Sequence, residues 1–136
     1  MTTKLKLAKS CWFGIASMIM LGACNAMHNA PTVSAVGHYA LVSVDGKPVP
    51  ADVSHDGAKL EVRSGSFTID ADGTCRTTTV FVPPTGREVA REVSATYTQE
   101  GATLTMRWKG AGMTIGSVEG STFTMNNEGM LFVYTK

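Results

Sequence analysis

Between residues 37 and 136, apolar and polar side chains alternate in short runs separated by glycine-centred turn signals. In the run 103–109, Leu104, Met106 and Trp108 fall on one side of an extended chain, and Thr103, Thr105, Arg107 and Lys109 on the other. The run 121–126 repeats the pattern, with Phe123 and Met125 opposite Thr122 and Thr124. Successive side chains of a strand point to opposite faces, so this period predicts strands with one buried face, as in antiparallel sheets. Turn signals recur at Asp45-Gly46, Asp56-Gly57, Asp72-Gly73, Thr85-Gly86, Glu100-Gly101, Gly110 with Gly112, Glu119-Gly120 and Glu128-Gly129. No segment carries a helical stripe. Short strands at this spacing predict an all-β sandwich or barrel.

One stretch changes phase. Leu60 and Val62 are apolar at even positions, Phe67 and Ile69 at odd ones. A single extra residue, a β-bulge near Ser64-Gly65, restores the same inward face. Residues 58–70 therefore read as one bent strand; a tight turn there would instead give nine strands. With the bulge, eight strands are expected, at about 38–44, 58–70, 74–82, 88–99, 102–109, 112–118, 121–126 and 129–135. In a meander, the turns at Asp72-Gly73, Glu100-Gly101 and Glu119-Gly120 share one end. Residues 46–57, Pro83-Pro84-Thr85-Gly86, Gly110-Ala111-Gly112 and 126–128 share the other and read as longer loops. That asymmetry predicts an antiparallel up-and-down eight-stranded barrel with a closed bottom and an open mouth.

Three passages resemble the lipocalin-like small lipoproteins of bacteria. They are Gly37-His38-Tyr39 opening the first strand, the run 67–73 (FTIDADG), and the closing Met130-Leu131-Phe132-Val133-Tyr134. The resemblance implies a barrel with a ligand-holding cup. Tyr39 stands where lipocalins proper carry tryptophan, and the last strand lacks their late arginine.

The N-terminus reads differently. Lys4, Lys6 and Lys9 precede an uncharged apolar run from Cys11 to Met20, too short to span a bilayer and suited to a signal-peptide core. It ends in Leu21-Gly22-Ala23-Cys24, which resembles the lipobox of bacterial lipoproteins. The resemblance implies cleavage before Cys24, lipidation of its thiol and acylation of the new amine by a chain such as palmitate. It also implies a membrane anchor facing the periplasm. Asn25, in place of an aspartate, points to the outer membrane by the same analogy. Residues 1–23 are then signal peptide, 24–36 the lipidated cysteine with a flexible tether, and 37–136 the barrel domain.

Cleavage there alters charge and cysteine arithmetic. The whole chain has twelve Lys and Arg against eleven Asp and Glu; with the three N-terminal lysines gone, the balance is nine to eleven. No basic footprint for nucleic acid remains. Cys11 leaves with the signal and Cys24 is lipidated, so Cys75 stands without a disulfide partner and is expected to be buried.

No hydrolase, phosphate-loop or metalloenzyme motif is present, and a non-enzymatic protein without cofactor is expected. Ser54-His55-Asp56 reads as a turn, because triads are built in space and not from sequence neighbours. Met27, Met106, Met113, Met125 and Met130 would suit copper, but Met106 and Met125 share the apolar phase and read as core fillers. No metal site is expected. The interior is the better candidate. On strand 74–82 the odd phase carries Cys75, Thr77, Thr79 and Phe81, and on 88–99 it carries Val89, Arg91, Val93, Ala95 and Tyr97, with Trp108 on a neighbour. An inward Arg91 needs Glu61, Glu92, Glu119 or an anionic ligand as its partner, or a place at the rim with its head in water. The expected function is a binding protein for a small apolar or anionic ligand. The alternative is an interaction or inhibitor lipoprotein that meets another envelope protein through its mouth loops, 46–57 and 83–86.

Overall fold

A computed structural model describes residues 33–136. The expected signal segment, the expected lipidation at Cys24 and the expected tether up to residue 32 lie outside the described residues. Ten strands follow in order: β1 (Gly37–Val44), β2 (Lys47–Pro48), β3 (Ala51–His55), β4 (Ala58–Ile69), β5 (Thr74–Val82), β6 (Val89–Glu100), β7 (Thr103–Trp108), β8 (Met113–Glu119), β9 (Thr122–Asn127) and β10 (Met130–Thr135). All their pairings are antiparallel. Strands β4 to β10 pair in sequence, β10 pairs with β1, and β1 pairs with β4, so eight strands close into an up-and-down barrel. The predicted fold class holds, and no helix occurs among the described residues. Closure leaves those eight strands with no long free edge.

The bent strand is there. The β4–β5 register slips between Val62 and Ser64, leaving Arg63 as the extra residue, so Val62, Phe67 and Ile69 are all buried despite their change of parity. A second slip, between Leu41 and Ser43 on β1, turns both Leu41 and Val44 inward. Strands β1 and β4 run together only from Gly37↔Ile69 to Ala40↔Ser66 and then part. At the parting, the side chain of Leu41 sits where Gly65 has none; a Cβ there would come 3.1 Å from Leu41 Cδ2.

The gap above this point is filled by residues expected to be a loop. Within 46–57, β2 pairs with β1, and β3 pairs with β4 from Ala51↔Val62 to His55↔Ala58. Ala51 and Val53 are buried, so this stretch completes the wall instead of hanging from it. The prolines at 48 and 50 suggested a loop, but they sit at the end of β2 and just before β3, the boundary positions where a missing N–H is tolerated. The expected loop at 126–128 is likewise a two-residue turn. Asp45-Gly46, Asp56-Gly57 and Glu128-Gly129 all have positive φ at both residues, the type I′ geometry that matches strand twist. Only 83–88 and 109–112 remain as longer connections at the mouth.

The last residues of the expected tether are docked. Ala35 is fully buried and its carbonyl accepts from Tyr39 Oη at 2.7 Å. Gln99 Nε2 donates to the Val33 carbonyl at 2.6 Å, and Lys136 Nζ to that of Val36 at 3.2 Å. These partners lie at the closed end of the barrel. Short apolar residues next to a strand were read as linker because three or four residues show no period.

The lower barrel is filled by aromatic rings. Phe67 lies 4.6 Å from Phe123, 5.6 Å from Tyr134 and 6.1 Å from Trp108, centroid to centroid, in tilted or edge-on arrangements that such rings favour. Tyr39, Phe67, Phe123 and Tyr134 are all inaccessible. Phe123, paired with Val118, fits because its ring reaches diagonally over Gly116, the next inward position of β8.

Candidate functional site

Above the aromatic plug the lumen opens into a cup of about 360 Å³. Its floor is Trp108, Thr77 and Tyr134; its walls are Leu60, Val62, Thr79, Phe81, Val93, Met125 and Phe132; its rim includes His55, Arg91, Ala111, Asn127, Glu128 and Met130. Each strand sends alternate residues inward, which is why Thr77, Thr79 and Phe81 of β5 face Val93 and Arg91 of β6 across one ladder. The volume sits at the lower end of the roughly 300–1,000 Å³ common for small-molecule pockets.

Polar groups are few and mostly engaged. Trp108 Nε1 donates to Thr114 Oγ1 at 2.8 Å, and Thr114 Oγ1 donates to Asn127 Oδ1 at 3.1 Å, fixing the indole against the wall. Thr77 Oγ1 donates to the Ser66 carbonyl at 3.0 Å. Tyr134 Oη, beside Thr77 under the floor, is buried with no hydrogen-bond partner. At the rim, His55 Nε2 lies 3.1 Å from Glu128 Oε2 and 3.3 Å from Asp56 Oδ2, joining the turn after β3 to the turn after β9. Outside the mouth, Arg63 reaches Glu61 at 3.0 Å and Glu88 at 3.6 Å, holding the 83–88 connection to the bulge. Exposed pairs of this kind contribute only about 0–1 kcal/mol.

Of the six interior residues singled out from the sequence, Thr77, Thr79, Arg91 and Trp108 line the cup. Cys75 and Tyr97 do not reach it. Both point inward as expected, but they lie nearer the closed end, where Tyr97 Oη donates to the Asp70 carbonyl at 2.7 Å and Cys75 is buried. Alternation fixes the face of a residue and says nothing of its height in the barrel. Phe81 and Val93, which the inward phase also placed in the interior, are wall residues as well, whereas sequence reasoning missed Met125, Met130 and Phe132 as part of the cup, although each stands in the inward phase of its strand. Met106 and Met125 are buried core, and no group of three or more His, Cys, Asp or Glu side chains is placed to hold a metal ion among the described residues.

Searches against protein-family models, curated proteins and solved structures return no match. The cup must therefore be judged on its own geometry. A second hollow, about 510 Å³, competes with it on the outer face of β5, β6 and β7. Arg76, Arg107 and Lys109 rise there around the shorter Ser94 and Thr96. It is more open to solvent than the cup, and its remaining lining is Asp70, Thr74 and the buried Cys75, Ala95 and Trp108. The cup is the better-formed site, being concave, mostly apolar and bordered by a few polar groups.

Two buried acids of the barrel predict its behaviour in alkali. Burial, reinforced by the Asp70 carboxylate, pushes the Cys75 thiol up to about 11, and burial pushes the Tyr134 phenol up to about 12. Unfolded, the two titrate at about 8.5 and about 10. The native state therefore holds protons that the unfolded state releases, so stability is full below the unfolded values and falls as pH rises through the folded ones. Urea midpoints are expected to drop steadily from about pH 9 upward, with less of a drop in a Cys75→Ala/Tyr134→Phe variant. An identical alkaline slope in both proteins would locate the effect elsewhere.

Proposed function

We propose that the chain is a lipid-anchored binding protein of the bacterial cell envelope, facing the periplasm, that holds a small apolar or anionic molecule in the cup. The observation that carries the binding part is the lumen itself: the barrel is plugged by rings in its lower half and left open above. A barrel built only as a scaffold has no reason to leave Phe81, Val93 and Phe132 around an open hollow, since filling it with larger side chains would bury more apolar surface. The anchoring part rests on the lipobox and the apolar segment before it.

The reading as an interaction or inhibitor lipoprotein has less support. It relied on a long presenting loop at 46–57, and that stretch is two wall strands and a tight turn. The 83–88 connection alone retains the character it required.

Native mass spectrometry of the protein purified from its own host membrane tests the proposal. The expected spectrum shows a small molecule bound in one copy, lost in a Thr79→Phe variant whose larger side chain projects into the cup. A bare mass for the wild-type chain, or a bound mass indifferent to Thr79→Phe, would refute the cup as the binding site.

A further inference from the structure

Resting on that reading of the cup, we infer that its ligand class is a short single-tailed organic acid, seated tail-down with its carboxylate at Arg91. Arg91 stands on the inward face of β6, paired in register with Thr79 at the level above Val93. Its guanidinium has no carboxylate partner among the described residues. Each acid that might have served is placed elsewhere. Glu61 is held by Arg63 at 3.0 Å, Glu92 is the next residue along β6 and faces outward, where it accepts from Thr78 Oγ1 at 3.5 Å, and Glu119 ends β8 at the closed end. An arginine at the lip of an apolar hollow presents a planar fork that matches a carboxylate and stays charged at any physiological pH.

Two further features narrow the head group and the tail. Across the mouth stand Glu128 and Asp56, both within 3.3 Å of His55, so the opening carries negative charge opposite Arg91. A singly charged head is matched one to one by Arg91, whereas the second charge of a phosphate monoester, at about −1.5 to −2, finds no second Lys or Arg in the lining of the cup and faces Glu128 and Asp56 instead. Below, Val93, Met125 and Phe132 offer an apolar sleeve down to Trp108, with Phe81 one step nearer the mouth, and the whole cup of about 360 Å³ has room for one short chain and not for a two-tailed lipid. The cation sets head-group choice; the sleeve supplies most of the affinity.

The test uses Trp108, the one tryptophan that remains after cleavage before Cys24, as reporter in the mature lipidated chain reconstituted in lipid nanodiscs, with empty nanodiscs correcting for partition. Octanoate, octan-1-ol and octylammonium are titrated against its emission. Octanoate is expected to bind about tenfold more tightly than the alcohol, the scale of one hydrogen bond to a charged group, and octylammonium most weakly. Arg91→Glu should reverse that order, and because the residue is exposed at the rim the barrel should fold unchanged. Equal affinities for all three heads, or an order that Arg91→Glu does not alter, would overturn the head-group assignment while leaving the cup in place. If none of the three moves Trp108 emission, the cup reading falls with it.

Discussion

Gly116→Ala is expected to destabilise the barrel by about 1–3 kcal/mol, although replacing glycine within a strand ordinarily helps. A Cβ at this inward position of β8 would stand 2.6 Å from Phe123 Cε2, 2.8 Å from its Cζ and 3.0 Å from the Thr124 carbonyl. The ring cannot retreat cheaply, because Tyr39, Phe67 and Tyr134 pack around it, with centroids 4.6–5.9 Å away. The carbonyl is part of the β8–β9 ladder and has less freedom still. Urea unfolding should show a lower midpoint with an unchanged slope. The interpretation is checked by a double-mutant cycle with Phe123→Leu: against the smaller side chain, the added methyl should cost less by about 1 kcal/mol or more. Additive losses would mean that the two positions do not compete for the same space.

The second large effect is expected at Phe67. Its ring touches Trp108 above and Phe123 and Tyr134 beside it, so truncation removes a shared partner from the plug. Phe67→Ala should cost about 3–5 kcal/mol, a large part of the roughly 5–15 kcal/mol that holds a domain folded. The same experiment on the outer face gives the contrast. Ile115 is 64% exposed on β8, and Ile115→Thr should stay within about 0.5 kcal/mol of wild type. A Phe67→Ala loss no larger than that of Ile115→Thr would mean that the cavity collapses and the plug is not the centre of the core.

These expectations depend on which features the chain makes legible. Strand phase was readable because each inward residue is apolar or small and each outward one polar, as in β7 and β9. The bulge was readable for the same reason, since Leu60, Val62, Phe67 and Ile69 cannot all face one way without an extra residue. Residues 46–57 were not. Two prolines and two Asp-Gly or Gly steps outweighed the short alternation of Ala51 and Val53 with Asp52 and Ser54, which is the pattern of the wall strand found there. At the cup, the inward phase correctly brought Thr77, Thr79, Arg91 and Trp108 to the lumen. It also admitted Cys75 and Tyr97, because height along a barrel comes from register between strands, and register is a property of pairs that no single run of sequence contains. The inward glycine was invisible for a related reason: Gly116 acquires meaning only once Phe123 is known to face it.

The docking of residues 33–36 at the closed end fixes a polarity for the molecule. The chain reaches the barrel beside Gln99, Tyr39 and Lys136, at the end opposite the cup. Asp72, Glu100 and Glu119 also lie at or beside the turns of this end. With a lipid on Cys24, as proposed, the leash would pull on the base of the vessel, while repulsion between these carboxylates and anionic headgroups would hold that base off the lipid surface. The opening would then point away from the bilayer, and cargo would be exchanged with the surrounding water instead of being drawn sideways from the lipid leaflet.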